Sequence, residues 1–411
     1  MTAVQSIRKQ AGGLAVEAAR GLVVQLASRF KQGSLRVEFP DGGVRLFGQA
    51  GAIPAADLQI VDPAFYRVVL LGGEIGFGEA YMDGFWRSRD LVQLLRFGVL
   101  NRSHASLNIP GLKRVTQLAD RRLHLSRRNT TDKARDNIQA HYDLGNEFFR
   151  LFLDQTLTYS CAYFSHPDQP LAEAQYNKYL MLCEKARVGR GQHILEIGSG
   201  WGGFAIYAAR NYGCRVTTIT ISEEQFELAR RRVDGAGLSD LVEVELRDYR
   251  DVEGEYDAVV SIEMLEAVGA EYFTTFFEKI EAALKPGGRA AIQVITVPDR
   301  SYASLRDGVN WMQKYIFPGG MLPSLAELER SLASTSLIIT EVQDIGLHYA
   351  TTLRRWRTAF MENLPAVRAL GFDDRFIRMW EYYLAVSEAG FLTRNTGDLQ
   401  VVFEKPALTS S

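Results

Sequence analysis

The chain has 411 residues, 46% of them hydrophobic and 23% charged, which is enough apolar sequence for a sizeable core and excludes a disordered or collagen-like protein. Its three cysteines, Cys161, Cys183 and Cys214, are too few and too irregularly spaced for a disulfide framework or a Cys-rich zinc site, so a reducing compartment and no metal are expected. The formal net charge of −2 hides an asymmetry: residues 1–135 carry 20 Lys+Arg against 11 Asp+Glu, and residues 136–411 carry 27 against 38.

Residues 6–31 read as an amphipathic helix, with Ile7, Leu14, Leu22, Val23, Leu26 and Phe30 toward one side and Arg8, Lys9, Arg20, Arg29 and Lys31 elsewhere. Packing on its own domain, pairing with a second copy and membrane contact are all open to such a helix. Its apolar stretch Leu14 to Ala27 is broken by Glu17 and Arg20, which argues against a secretory signal. No run reaches the roughly 18 apolar residues of a membrane span, and the expected address is cytoplasmic. Alternation from Leu35 to Phe47 around Pro40-Asp41-Gly42-Gly43 predicts a hairpin. A strand at Asp57–Val61, a short helix opened by Asp62-Pro63 and the Gly-rich run Gly72–Gly78 leading to Trp86 complete a small α+β module.

Residues 113–135 form a charge-rich connector containing Lys113, Arg114, Arg121, Arg122, Arg127, Arg128, Lys133 and Arg135. A solvated linker is the ordinary meaning of such a run, and a patch for anionic lipid is the competing one. No nucleic-acid partner is expected. From Gln192 onward strands and helices alternate: Gln192–Ile197, Gly203–Tyr212, Cys214–Ile221, Glu223–Gly235, Leu241–Leu246, Tyr256–Ile262, Tyr272–Lys285 and Arg289–Thr296. This βαβα rhythm predicts a doubly wound parallel sheet, with Lys285-Pro286-Gly287-Gly288 as a turn between helix and strand.

The strand ending at Ile197 runs into Gly198-Ser199-Gly200-Trp201-Gly202-Gly203 and then a helix. Glycines let the backbone pass close under a ligand, and the helix start offers free N–H groups. Glycines 198, 200 and 203 satisfy a dinucleotide fingerprint. A dinucleotide site, however, wants an acid ending the second strand, where this chain reads Thr218-Ile219-Thr220-Ile221-Ser222. Glu196, two positions before the first glycine, gives E-x-G-x-G-x-G, which resembles the S-adenosyl-L-methionine (SAM) loop of class I methyltransferases. Its carboxylate is expected at the topological switch point, with an ordinary surface carboxylate as the alternative. Thr220, Ser222 and Gln225 open the second helix, Gln225 toward ribose hydroxyls or as helix-start chemistry. Arg247 and Asp248 end the third strand, Asp248 as an acceptor for an adenine amino group.

His141 to Phe149, Leu153-Asp154, Thr158 to Phe164, Gln175 to Lys185, Leu195 to Gly203, Met264 to Gly269, Lys314 to Ser324 and Gln400 to Phe403 together resemble the cyclopropane-fatty-acyl-phospholipid synthases and the related mycolic acid cyclopropane synthases. The resemblance spans about residues 55–404. It implies a class I SAM-dependent methyltransferase, a Rossmann-like α/β doubly wound sheet, with a small α+β N-terminal lipid-binding domain. The expected division is a lipid-binding and dimerisation module over 1–112, the connector over 113–135 and a catalytic domain over 136–411.

The implied reaction moves the SAM methyl group onto a cis double bond of an acyl chain in a membrane phospholipid and closes a cyclopropane ring. The implied setting is the inner face of the cytoplasmic membrane, with the protein as a peripheral homodimer. Tyr159 and Ser160 are carried over as cofactor neighbours alongside Gly198, Gly200 and Gly202. An alkene is a feeble nucleophile, so water must be excluded and the developing cation stabilised. Aromatic faces suit that cation, and Tyr163, Phe164, Trp201, Tyr315, Phe317, Tyr349 and Trp356 are candidates.

The base implied by the resemblance is a bound bicarbonate, held here by Cys161, Glu266, Ile295, Tyr349 and a histidine whose position reads Gln293. Glutamine donates a hydrogen bond to an anion but carries no charge. Ala267 stands where many relatives have histidine, and Ser387 where some carry cysteine, so no covalent thiol mechanism is inferred. Glu263 is an extra carboxylate with two open readings, membership of the anion-site network or a place facing solvent, and His348 is ambiguous in the same way. These departures bear on product. A redirected deprotonation gives a methyl-branched or methylene chain instead of a ring. A soluble small-molecule acceptor is a further alternative.

Overall fold

The computed structural model describes residues 16–104 and 144–407. The basic connector, and the part of the first amphipathic helix before residue 16, lie outside the described residues. The chain divides into two compact units, the first holding the N-terminal segment together with Phe360–Thr393 and the second holding the remainder.

In the first unit a helix over 16–27 precedes β1 (Ser34–Glu38), β2 (Val44–Gly48), β3 (Ala55–Ile60) and β4 (Trp86–Arg87), which form one sheet in the order β2-β1-β3-β4. The expected hairpin is present, with β1 antiparallel to β2 in the register Leu35↔Phe47, while β3 runs parallel to β1. The inward side chains Leu35, Val37, Leu58 and Ile60 are buried, as the period of two requires. The helix expected to be short after Asp62-Pro63 instead runs from Ala64 to Met82, absorbing the Gly-rich run through a kink at Gly73, whose φ of 54° is open to glycine.

The expected end-to-end catalytic block 136–411 is divided differently, because Phe360–Thr393 belongs to the first unit. The cause is the apolar face of helix Asp374–Leu392, which packs on helices Leu91–Leu100 and Ala64–Met82. Tyr81 Oη donates to Glu381 at 2.8 Å and Arg375 pairs with Asp83 at 2.9 Å along this seam. Ser387 therefore sits on a helix of the first unit.

The second unit is built on seven strands: β5 (His193–Ile197), β6 (Arg215–Thr220), β7 (Val242–Leu246), β8 (Tyr256–Ile262), β9 (Leu284–Thr296), β10 (Ile338–Asp344) and β11 (Gly397–Glu404), in the order β10-β11-β9-β8-β5-β6-β7. The pairs β8-β5, β5-β6, β6-β7 and β8-β9 are parallel, as the βαβα rhythm demands. β11 departs from the expectation of a wholly parallel sheet, because it lies antiparallel to both β9 and β10. The Lys285-to-Gly288 run is not a free turn; it enters β9 with a register irregularity opposite Tyr256 and Ala258. One face of the sheet is covered by small residues such as Ala205, Ala208 and Val233, the other by a bulkier set including Phe273, Phe276, Phe277 and Ile280. This makes a three-layer sandwich. Strand order reverses between β5 and β8, so ligands are expected beyond the carboxyl ends of those two strands.

Candidate active site

The glycine loop leaves β5 at that switch point. Gly198, Gly200 and Gly202 have φ of +96°, +48° and +81°, a region that β-carbon sterics discourage. A Cβ on Gly202 would also lie 3.3 Å from the Ala229 Cβ. Behind the loop, Glu196 is 2% exposed, not a surface carboxylate. Its Oε2 accepts a 2.6 Å hydrogen bond from Thr218 Oγ1, and burial pushes its carboxyl up to about 8.

At the start of the next helix, Ser222 Oγ caps the Gln225 N–H and Thr220 Oγ1 bonds Gln225 Oε1 at 3.0 Å. Gln225 is thus engaged in helix-start chemistry. Asp248 accepts from the Arg250 backbone at 3.0 Å and from its guanidinium at 2.8 and 2.6 Å, and Arg247 pairs with Glu245 at 3.1 Å. Both expected adenine-side groups are tied to neighbours on their own edge of the sheet.

From the loop, a wall of rings leads inward: Trp201 to Phe149 at 5.0 Å, Phe149 to Tyr159 at 5.3 Å, Tyr159 to Trp356 at 5.3 Å and Trp356 to Tyr349 at 6.1 Å. Trp201 Nε1 is fixed by Asn146 Oδ1 at 2.6 Å. Of the other aromatic candidates, Tyr163 packs at a tilt against His348 and Tyr315 packs on Trp311, while Phe317 is exposed. His348 Nδ1 accepts the Phe164 N–H at 3.2 Å, and burial lowers its pKa.

The wall ends at a buried polar network centred on Glu263, just past β8. Glu263 Oε1 accepts from the Cys161 N–H at 2.8 Å and from Gln293 Nε2 at 2.8 Å, and Oε2 accepts from Tyr349 Oη at 2.6 Å. Gln293 Nε2 also meets Asp398 Oδ2 at 3.1 Å, and Gln400 Nε2 donates to Gln293 Oε1 at 3.1 Å. Glu266 Oε1 accepts the Ile295 N–H at 2.5 Å, and its backbone carbonyl takes the Met321 N–H, which anchors the segment containing Lys314 to Ser324. Ser160 Oγ accepts from the fully buried Lys178 Nζ at 2.6 Å.

Cys161, Glu266, Gln293, Ile295 and Tyr349 are thus gathered from distant parts of the chain into one place. Desolvation dominates their electrostatics: it raises the Glu263 and Asp398 carboxyls, pushes Glu266 up to about 8 and lowers Lys178 to about 8. The Cys161 thiol, raised far above its usual value by burial and by Asp398, is no thiolate nucleophile.

A bicarbonate does not fit beside these residues. The Cys161 N–H, the Tyr349 hydroxyl and the residue-293 amide all serve Glu263, and the Ile295 N–H serves Glu266. With those four donors already given to the protein's own carboxylates, none of them is left to hold a further anion.

Sequence reasoning missed Lys178, Asp398, Gln400 and Thr352, whose Oγ1 accepts the Ala162 N–H at 3.1 Å. Lys178 had a readable signal, a lysine between Ala174 and Leu182 at helical spacing on a buried face. Asp398 had none.

The seven-stranded sheet, the glycine loop at its switch point and the acid-ended strand before it define a class I SAM-dependent methyltransferase. The family model described as Mycolic acid cyclopropane synthetase matches residues 129–401. The chain is 45% identical over 338 residues to the Tuberculostearic acid methyltransferase UfaA1 of Mycobacterium tuberculosis, covering 78% of this chain and 76% of that one. It is 36% identical to the Cyclopropane-fatty-acyl-phospholipid synthase of Escherichia coli, covering 86% and 89%. Among solved structures, the mycolic acid cyclopropane synthase CmaA1 complexed with SAH and CTAB aligns with a TM-score of 0.62 at 30% identity, covering 66% of this chain and 98% of that one. The chain belongs to the mycolic acid cyclopropane synthetase family, and SAM is its methyl donor.

Proposed function

We propose that this methyltransferase adds the SAM methyl carbon to the cis double bond of an unsaturated acyl chain in a membrane phospholipid and closes a cyclopropane ring. The observation that carries the reading is the unbroken run of rings from Trp201 in the glycine loop to Tyr349 at the buried acid network. An alkene attacked by a sulfonium methyl leaves a carbocation. Ring faces stabilise that cation, burial keeps water from quenching it, and a carboxylate nearby takes up the proton released on closure.

The similarity to a named cyclopropane-fatty-acyl-phospholipid synthase supports this reading. A second reading, a methylene or methyl-branched product, is favoured by Gln293 and by the similarity to a named tuberculostearic acid methyltransferase. Fatty acid analysis of a host expressing the chain decides between them. A gain of one CH2 with no residual alkene is the expected result, and a retained alkene after the same gain favours the branched product.

The membrane side of the reading rests on the first unit. Val44, Leu46 and Ile53 are 52%, 64% and 81% exposed there, and the sequence up to residue 135 carries the chain's surplus of basic residues. Among the described residues no helix is long and apolar enough to cross a membrane. We read the protein as a peripheral homodimer on the inner face of the cytoplasmic membrane. Co-sedimentation with anionic liposomes, strong at low salt and weaker at high salt, is the expected behaviour. No binding at either salt would point to a soluble acceptor.

A further inference from the structure

We propose that the side chain of Glu263 is the built-in base of this enzyme, taking the proton from the transferred methyl group so that no dissociable anion is needed. The inference rests on the reading of an alkene as methyl acceptor. Its ground is geometric. Three donors from three separate elements converge on one carboxylate: the Cys161 backbone N–H, the Tyr349 hydroxyl on helix Gly346–Glu362 and the Gln293 amide on β9. Such a nest is what an anion site consists of, and here the protein supplies the anion from its own chain.

Glu263 also pays for its position in backbone strain. Its φ is +50°, a left-handed conformation rare for a branched-chain or long side chain, and one that persists where the surroundings over-determine it and where function uses it. The residue after it, Met264, is the side chain that a Cβ on Gly198 would meet at 3.1 Å. The carboxylate therefore stands next to the element that packs on the cofactor loop.

Facing Glu263 are Lys178, Asp398, Glu266, Cys161 and Tyr349. Burial disfavours ionising all three carboxyls. Glu263, with three donors, is the one best stabilised as an anion, leaving Glu266 and Asp398 to hold protons. Its raised affinity for a proton makes it a stronger base than a surface glutamate.

The step balances without a further reagent. The alkene electron pair bonds the methyl carbon as the C–S bond returns its pair to sulfur, leaving a cation on the neighbouring chain carbon. Glu263 then takes a proton from that methyl, and the C–H pair closes the ring onto the cation. If a hydride first shifts to the cationic carbon, the cation moves to the carbon bearing the new methyl group and the same proton loss leaves a methylene branch on the open chain, so one base serves either product. The neutral acid returns its proton to water once the product has left.

The test uses the full-length protein, methyl-labelled SAM and vesicles of an oleoyl phospholipid, in buffer stripped of carbon dioxide and then with added bicarbonate. Glu263→Gly suits the left-handed backbone, and Glu263→Gln keeps the shape; SAM binding by calorimetry verifies that both variants fold. The wild type is expected to turn over equally in the two buffers. Both variants are expected to lose about 100-fold or more in turnover, with Glu263→Gly partly rescued by formate or bicarbonate and Glu263→Gln not. A wild type that needs bicarbonate, or a Glu263→Gly variant that stays active in stripped buffer, would overturn the inference alone. A wild type that labels no lipid in either buffer would sink the acceptor reading and the inference with it.

Discussion

The cofactor end and the acid network of the second unit are made in opposite ways. The cofactor end is local: six consecutive residues, Gly198 to Gly203, turn a strand into a helix, and positive φ at three of them is written into the glycines. The network is assembled from Cys161, Glu263, Gln293, Tyr349 and Asp398, which come together only when β8, β9 and β11 pair and the segment of Cys161 and the helix Gly346–Glu362 reach Glu263. A local device tolerates change elsewhere in the chain. A convergent one fails when any contributor moves.

The largest expected effect comes from protons buried in both regions. Glu196 at the cofactor end and Glu266 in the network each have a carboxyl raised to about 8, against an unfolded value near 4.3. The folded state then binds more protons than the unfolded chain between those values. Its stability is full below about pH 4 and is lost as pH rises through 8, by up to about 5 kcal/mol for each group. Lys178, lowered to about 8 by burial, acts above that range with the opposite sign, regaining stability as pH climbs toward 10. Thermal unfolding from pH 5 to 8 should show Tm falling, and Glu196→Gln should flatten that slope without removing the share due to Glu266. A Tm that rises over this window would break the assignment of both groups as protonated.

A paired substitution sharpens the contrast between the regions. Tyr349→Phe deletes one hydroxyl donor to Glu263. A hydrogen bond to a charged group is worth about 1.5–3 kcal/mol, so turnover at saturating SAM should fall roughly 10- to 100-fold, with SAM affinity kept. Gly202→Ala forces a Cβ into the left-handed region and toward Ala229. At about 1–2 kcal/mol it should weaken SAM binding roughly tenfold and leave turnover at saturating SAM closer to normal. Steady-state kinetics with calorimetry checks both, and a Tyr349→Phe variant defective only in SAM affinity would dissolve the distinction.

The same contrast explains what could be read from the sequence. Periodicity and glycine chemistry located β5 to β8 and the helices between them, because each signal lies within a few residues of the structure it makes. The antiparallel course of β11 was not readable, since strand direction depends on pairing with β9 and not on local pattern. Nor was the union of Phe360–Thr393 with the first unit, which follows from apolar faces meeting across almost 300 residues of sequence. At the site, the resemblance pointed to Cys161, Glu266, Gln293, Ile295 and Tyr349, which the fold does gather. It left open whether Glu263 joins them or faces solvent. Only the three-dimensional convergence shows the Glu263 carboxylate at the focus of the donors, and Asp398, isolated in sequence, had no signal until β11 was paired.

The smallest expected effect tests how local the cofactor end is. Ser222 Oγ accepts the Gln225 N–H at 3.3 Å, and Thr220 Oγ1 links the Ser222 N–H to the Gln225 side chain. Ser222→Ala removes a helix cap, at a cost of about 1 kcal/mol and a Tm fall of roughly 2–4 °C. Asparagine is an equally good cap, so Ser222→Asn should restore the stability. If capping is the residue's whole contribution, SAM affinity recovers in Ser222→Asn along with Tm. If affinity stays low while Tm recovers, the hydroxyl itself serves the ligand. The cofactor end would then share the network's property of depending on one atom in one place.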